Sequence, residues 1–132
     1  SVKPRAMAVN LLKQGDYLIA TVQAALSDAE LVELRLKLVE RTAQFRARGV
    51  IVDVTALDVL DSFAARTIGD LAHMVGLRGA QTVIVGIQPE VAFAMAQLGL
   101  TLQGISTALD LEEGLEFLDR RIGRKRFGPR ER

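Results

Sequence analysis

The sequence predicts one α/β domain: a mixed sheet of four to five strands with an N-terminal hairpin and about four helices. Three observations predict it. Short β-branched runs alternate with longer stretches of helical periodicity, which demands crossover connections and hence mostly parallel later strands. The run Val50 to Val54 is apolar without strict alternation, as in a central strand covered on both faces. Two alternating stretches flank Gly15-Asp16 near the N-terminus and read as a hairpin.

The elements follow in order. Val9 and Leu11 alternate with polar residues, and Tyr17 to Val22 forms the second strand. Ser27-Asp28-Ala29-Glu30 is a capping box that opens a helix expected to run to about Arg48, with Gly49 ending it. Leu31, Leu34, Leu38 and Phe45, joined by Val32, Leu36, Val39 and Ala43, give this helix a broad apolar stripe. A second helix is expected from about Ser62 to Leu77, with Phe63, Ala64, Ile68, Leu71, Ala72 and Val75 inward. Thr82 to Val85 is another buried strand, and Pro89 sits near the first position of the next helix, which ends at Leu98-Gly99. A short strand near Gly104-Ile105-Ser106 precedes a cap at Asp110 and a last helix to about Ile122.

Composition narrows the function. A chain of 132 residues suits one domain that buries roughly two-thirds of its unfolded surface. Without cysteine there is no disulfide framework, thiol nucleophile or zinc–thiolate site. No apolar run approaches the ~20 residues that cross a bilayer, and no signal-peptide core is seen, so a soluble, cytoplasmic protein is expected. Residues 1–119 carry 10 basic and 15 acidic side chains (−5), whereas residues 120–132 carry 7 and 1 (+6). The domain is therefore expected over 1–119, with 120–132 as a disordered basic tail. The acidic body offers no basic face, so nucleic acid is not an expected partner.

Catalytic arrangements fail on inspection. His73, the one histidine, lies about three helical turns beyond Ser62, ~16 Å away and out of reach as its base. Asp53, Asp58 and Asp61 match no calcium-loop spacing, and no glycine-rich phosphate loop is present. No enzyme activity, metal or cofactor is expected. Ser62 remains. It reads as the helix N-cap or as a modified hydroxyl, and the two are compatible, because a helix N-terminus favours an anion.

Asp61-Ser62-Phe63 after an apolar strand, Gly86-Ile87-Gln88-Pro89-Glu90-Val91-Ala92, and Leu98-Gly99-Leu100-Thr101-Leu102 resemble a STAS domain. This is the fold of the anti-sigma factor antagonists. Within it the likeness is to RsbS-type stressosome antagonists and spans about residues 6–119. That resemblance implies a non-enzymatic phospho-switch scaffold in bacterial stress signalling. Its unphosphorylated form would hold an RsbT-type serine/threonine kinase alongside RsbR-type paralogues in an oligomer, and a separate phosphatase would reset it. The phosphoacceptor maps to Ser62, and the kinase-binding surface to Asp58, Asp61, Ser62 and Phe63. RsbR-type paralogues carry a second phosphorylated hydroxyl after Pro-Glu, whereas Val91 to Ala96 has none here. Two alternatives keep the fold: direct binding of an anti-sigma factor, and a ligand-binding regulatory domain with a small anion at the Ser62 helix terminus.

Overall fold

Residues 8–102 and 104–123 are described by a computed structural model. Strands β1 (Val9–Gln14) and β2 (Tyr17–Val22) form the hairpin, with Val9 opposite Val22 and Gln14 opposite Tyr17. There follow α1 (Asp28–Phe45), β3 (Gly49–Asp53), α2 (Ser62–Gly76), β4 (Gln81–Val85), α3 (Pro89–Gln97), β5 (Ser106–Ala108) and α4 (Leu111–Arg121). The sheet order is β1-β2-β3-β4-β5, antiparallel between β1 and β2 and parallel elsewhere. This is the mixed sheet with hairpin and four helices that the periodicities predict.

Side chains that alternate along the strands divide the interior into two layers. Leu18, Ala20, Val22, Val50, Val52 and Ile84 point to the face covered by α1, α2 and α3. Tyr17, Ile19, Ile51, Val83 and Val85 point to the other face and meet Leu115 and Leu118 of α4. Burial on both sides explains why the central strands are apolar throughout.

Caps set the helix starts. Ser27 Oγ accepts from Glu30 N–H at 3.1 Å, and Glu30 Oε1 accepts from Ser27 N–H at 2.9 Å, completing the capping box. Asp110 Oδ1 accepts from Glu113 N–H at 2.9 Å, so α4 begins where its acidic cluster predicts. At the far end of α4, the Tyr17 hydroxyl donates to the buried Asp119 carboxylate and ties the helix to the start of β2.

Several details differ from expectation. Helix α1 stops at Phe45, and its C-cap is Arg46 in the left-handed region (φ 52°), where glycine is the usual occupant. Gly49 instead opens β3, and its missing side chain serves packing: a Cβ there would lie 2.7 Å from Leu118 Cδ1 and 2.9 Å from Tyr17 Cδ1. The stripe of α1 is also narrower, because Leu36 and Phe45 are exposed while Thr42 is buried. Arg120 and Arg121 form the last turn of α4, with Arg121 stacked over Phe117 at 5.5 Å. The basic tail beyond residue 123 lies outside the described residues.

Gly49→Ala should therefore lower stability by about 1–3 kcal/mol, the usual cost of overpacking a filled interior. A urea melt checks this; an unchanged midpoint would mean that Leu118 yields freely.

Candidate functional site

The loop between β3 and α2 is fixed at its base by polar contacts. Asp53 Oδ1 accepts from both Thr55 N–H (3.0 Å) and the Thr55 hydroxyl (2.6 Å), folding the chain back as β3 ends. Val54 N–H donates to the Val85 carbonyl at 3.0 Å. Thr55 lies against Gly86 (φ +81°) so closely that a Cβ on Gly86 would be 1.9 Å from Thr55 Oγ1. Gln88 Nε2 then donates to the Thr55 carbonyl at 2.7 Å, joining the residue before α3 to this loop.

Past that base the chain turns outward and returns. Leu57 N–H donates to the Val54 carbonyl at 3.0 Å, and Leu57 is half-buried. Asp58 is exposed and Val59 is 67% exposed, whereas Leu60, at 5%, anchors the loop in the core. Asp61 then has the extended backbone of an N-cap (φ −82°, ψ 179°), and its Oδ1 accepts from Ala64 N–H at 2.8 Å. Ser62 takes the first helical position.

This arrangement corrects the capping role expected of Ser62. Asp61 caps α2 and adds a carboxylate at the positive end of the helix dipole. The Ser62 side chain is exposed, and its hydroxyl makes no hydrogen bond among the described residues. Phe63 is half-buried against the main core rather than free, and its carbonyl accepts from the Thr67 hydroxyl at 2.8 Å. Asp58, Asp61, Ser62 and Phe63 thus gather at one loop and helix start. Asp53 is separate, held in the loop's base.

Two neighbours escaped sequence reasoning. Val59 puts an apolar side chain in solvent between the acidic residues, a placement that only the loop's path reveals. Arg66 is exposed and lies four residues after Ser62, hence on the same side of α2 one turn on. His73 is exposed three turns away. Among the described residues, no three His, Asp or Glu side chains converge as a metal site would require.

Charge extends the site. Helices α2, α3 and α4 each follow the carboxyl end of a parallel strand, so their starts share one end of the sheet. Glu90 in the first turn of α3, and Glu112 and Glu113 in that of α4, therefore join Asp58 and Asp61 there. No helix among the described residues is long and apolar enough to cross a membrane.

Residues 8–113 match the STAS domain family. A serine-to-glutamate variant of RsbS from Moorella thermoacetica is 30% identical, with a TM-score of 0.75 over 87% of this chain and 97% of that one. A chain from the molecular architecture of the stressosome, a signal integration and transduction hub, is 29% identical, with a TM-score of 0.68 over 88% and 100%. The RsbT co-antagonist protein RsbRA of Bacillus subtilis is 33% identical over 89 residues, 64% of this chain. The match spans only about a third (32%) of that longer relative.

With the cap assigned to Asp61, Asp61→Ala should destabilise the fold by about 1 kcal/mol, while Ser62→Ala should stay within about 0.5 kcal/mol of wild type. Thermal melts of the two variants check this, and equal losses would return the capping role to Ser62.

Proposed function

The chain belongs to the STAS domain family, and on that premise we propose that it is a non-enzymatic phospho-switch scaffold of the stressosome. Its unmodified form holds an RsbT-type serine/threonine kinase, and phosphorylation of Ser62 releases that kinase in the general stress response. RsbR-type paralogues share the oligomer, and a separate phosphatase resets the scaffold. The observation that carries this reading is the Ser62 hydroxyl itself: exposed, without a hydrogen bond among the described residues, and relieved of capping by its neighbour. The likeness to RsbS and to a stressosome chain supports the assembly.

The chemistry asks little of this chain. The kinase brings ATP, whose γ-phosphorus–oxygen bond to ADP breaks as a new bond forms to Ser62 Oγ. The serine proton passes to a base on the kinase, since Asp61 is engaged as the cap and no histidine is near. What this chain supplies is an accessible nucleophile and a place for the product. First-turn N–H groups of α2 and the Arg66 side chain favour an anion there.

The product then changes the surface. A phosphoryl group brings ≈ −1.5 to −2 charges beside Asp58 and Asp61. A partner that meets these carboxylates and Val59 with its own complementary surface encounters doubled charge and stronger hydration. Binding is lost while the fold beneath is retained.

Incubation with ATP and an RsbT-type kinase should add one phosphoryl group to wild type and none to Ser62→Ala, as read by intact-mass spectrometry. Ser62→Asp should weaken kinase binding about tenfold or more by calorimetry. Ser62→Ala should bind like wild type yet fail to release the kinase when ATP is added. Tight binding by Ser62→Asp would refute the charge mechanism.

A further inference from the structure

The opposite end of the sheet carries an unassigned cleft. We propose that it binds a phosphate-sized oxyanion, as free phosphate ester or as a phosphorylated side chain, between Arg46, Arg48 and Arg78. This cleft lies apart from Ser62, at the strand starts. The cleft is open, about 410 Å³, and lies where α1 ends, β3 begins and α2 gives way to β4. Its remaining lining is Thr42, Ala43, Ala47 and Gly79, with no carboxylate.

Two observations point to a ligand, and two more describe the frame that would hold it. Three guanidinium-bearing residues meet at one cleft, and guanidinium forks suit phosphate oxygens. Thr42, on the cleft's lining, is 1% exposed, and its buried hydroxyl has no hydrogen-bond partner among the described residues. Arg46 occupies the left-handed region, where glycine or asparagine would sit with less strain. The frame is also fixed: Arg48 N–H donates to the Asp16 carbonyl at 2.7 Å, and the Arg48 carbonyl accepts from Gln81 N–H at 3.0 Å.

Competing charge does not cancel the cleft. The C-terminal ends of α1 and α2 each present roughly half a negative charge there, which the three lining arginines outweigh. Two acidic residues share this end of the sheet, Asp16 in the β1–β2 turn, whose backbone carbonyl accepts from Arg48 N–H, and Asp119, whose carboxylate accepts from the Tyr17 hydroxyl; neither lines the cleft. Arg120 and Arg121, in the last turn of α4, add positive charge at the same end, since adjacent Leu118 and Asp119 pack on Gly49 and Tyr17 at the strand starts.

The test titrates the full chain with inorganic phosphate against sodium chloride of equal ionic strength, by thermal shift and amide NMR. Phosphate at about 20 mM should raise Tm by about 2–4 °C beyond the chloride control. It should also move the amides of Ala43, Ala47 and Gly79. Arg78→Gln should weaken phosphate binding about tenfold. Arg46→Gly should raise the Tm of the unliganded protein, because the strained backbone is relieved, and still lose phosphate affinity. A phosphoserine peptide spanning residues 57–67 forms the second arm: binding at least tenfold tighter than phosphate assigns the site to a phosphorylated partner, and equal binding assigns it to the free anion. Equal effects of chloride, undiminished binding by Arg78→Gln, or amide shifts confined to the start of α2 would each overturn the proposal. Should Arg78→Gln fail to fold, the wild-type shift map alone decides.

Discussion

Thr55 set against Gly86 is the contact on which the candidate site depends. Gly86 leaves the space that the Thr55 hydroxyl fills, and its positive φ lets β4 turn away without a side chain in that space. Asp53 holds Thr55 from one side and Gln88 from the other. The carboxyl ends of β3 and β4 and the start of α3 thereby become one rigid base. The loop of Asp58 and Val59 stands on that base, and buried Leu60 closes it.

From this base follows a division of labour among three consecutive residues. Leu60 supplies the apolar anchor, Asp61 satisfies the helix terminus, and Ser62 is left with neither task. A hydroxyl that carries no structural load can gain or lose a phosphoryl group without removing a stabilising contact. Energetically, this would separate the proposed switch from the fold: capping worth about 1 kcal/mol resides in Asp61 and would stay in place if Ser62 were modified. Under the proposed switch, modification would change only the charge at this surface.

Much of this was legible in the sequence. The capping box at Ser27 and Glu30, the hairpin at Gly15-Asp16 and the buried central strands follow from local patterns that tertiary structure did not override. The candidate loop was legible as well, because an apolar strand ending in acidic residues and a serine is a local signal. Less legible was the choice between Asp61 and Ser62 as cap, since both residue types suit that role and only the backbone angles decide. The end of α1 was hidden for a different reason. Gly49 looks like a helix terminator in sequence, but its bareness answers to Leu118 and Tyr17, far away in the chain. Arg46, with no local sign of left-handed backbone, ends the helix instead.

If the proposed switch is right, phosphorylation of Ser62 alters surface charge and leaves the fold intact. Amide hydrogen exchange of the Ser62-phosphorylated chain, compared with the unmodified one, tests this most directly. The expected changes are confined to the loop and the first turn of α2, about residues 58–66, with the protection of β3, β4 and the rest of α2 unchanged. Loss of protection across β3 and β4, or along the whole of α2, would contradict it and identify a conformational switch.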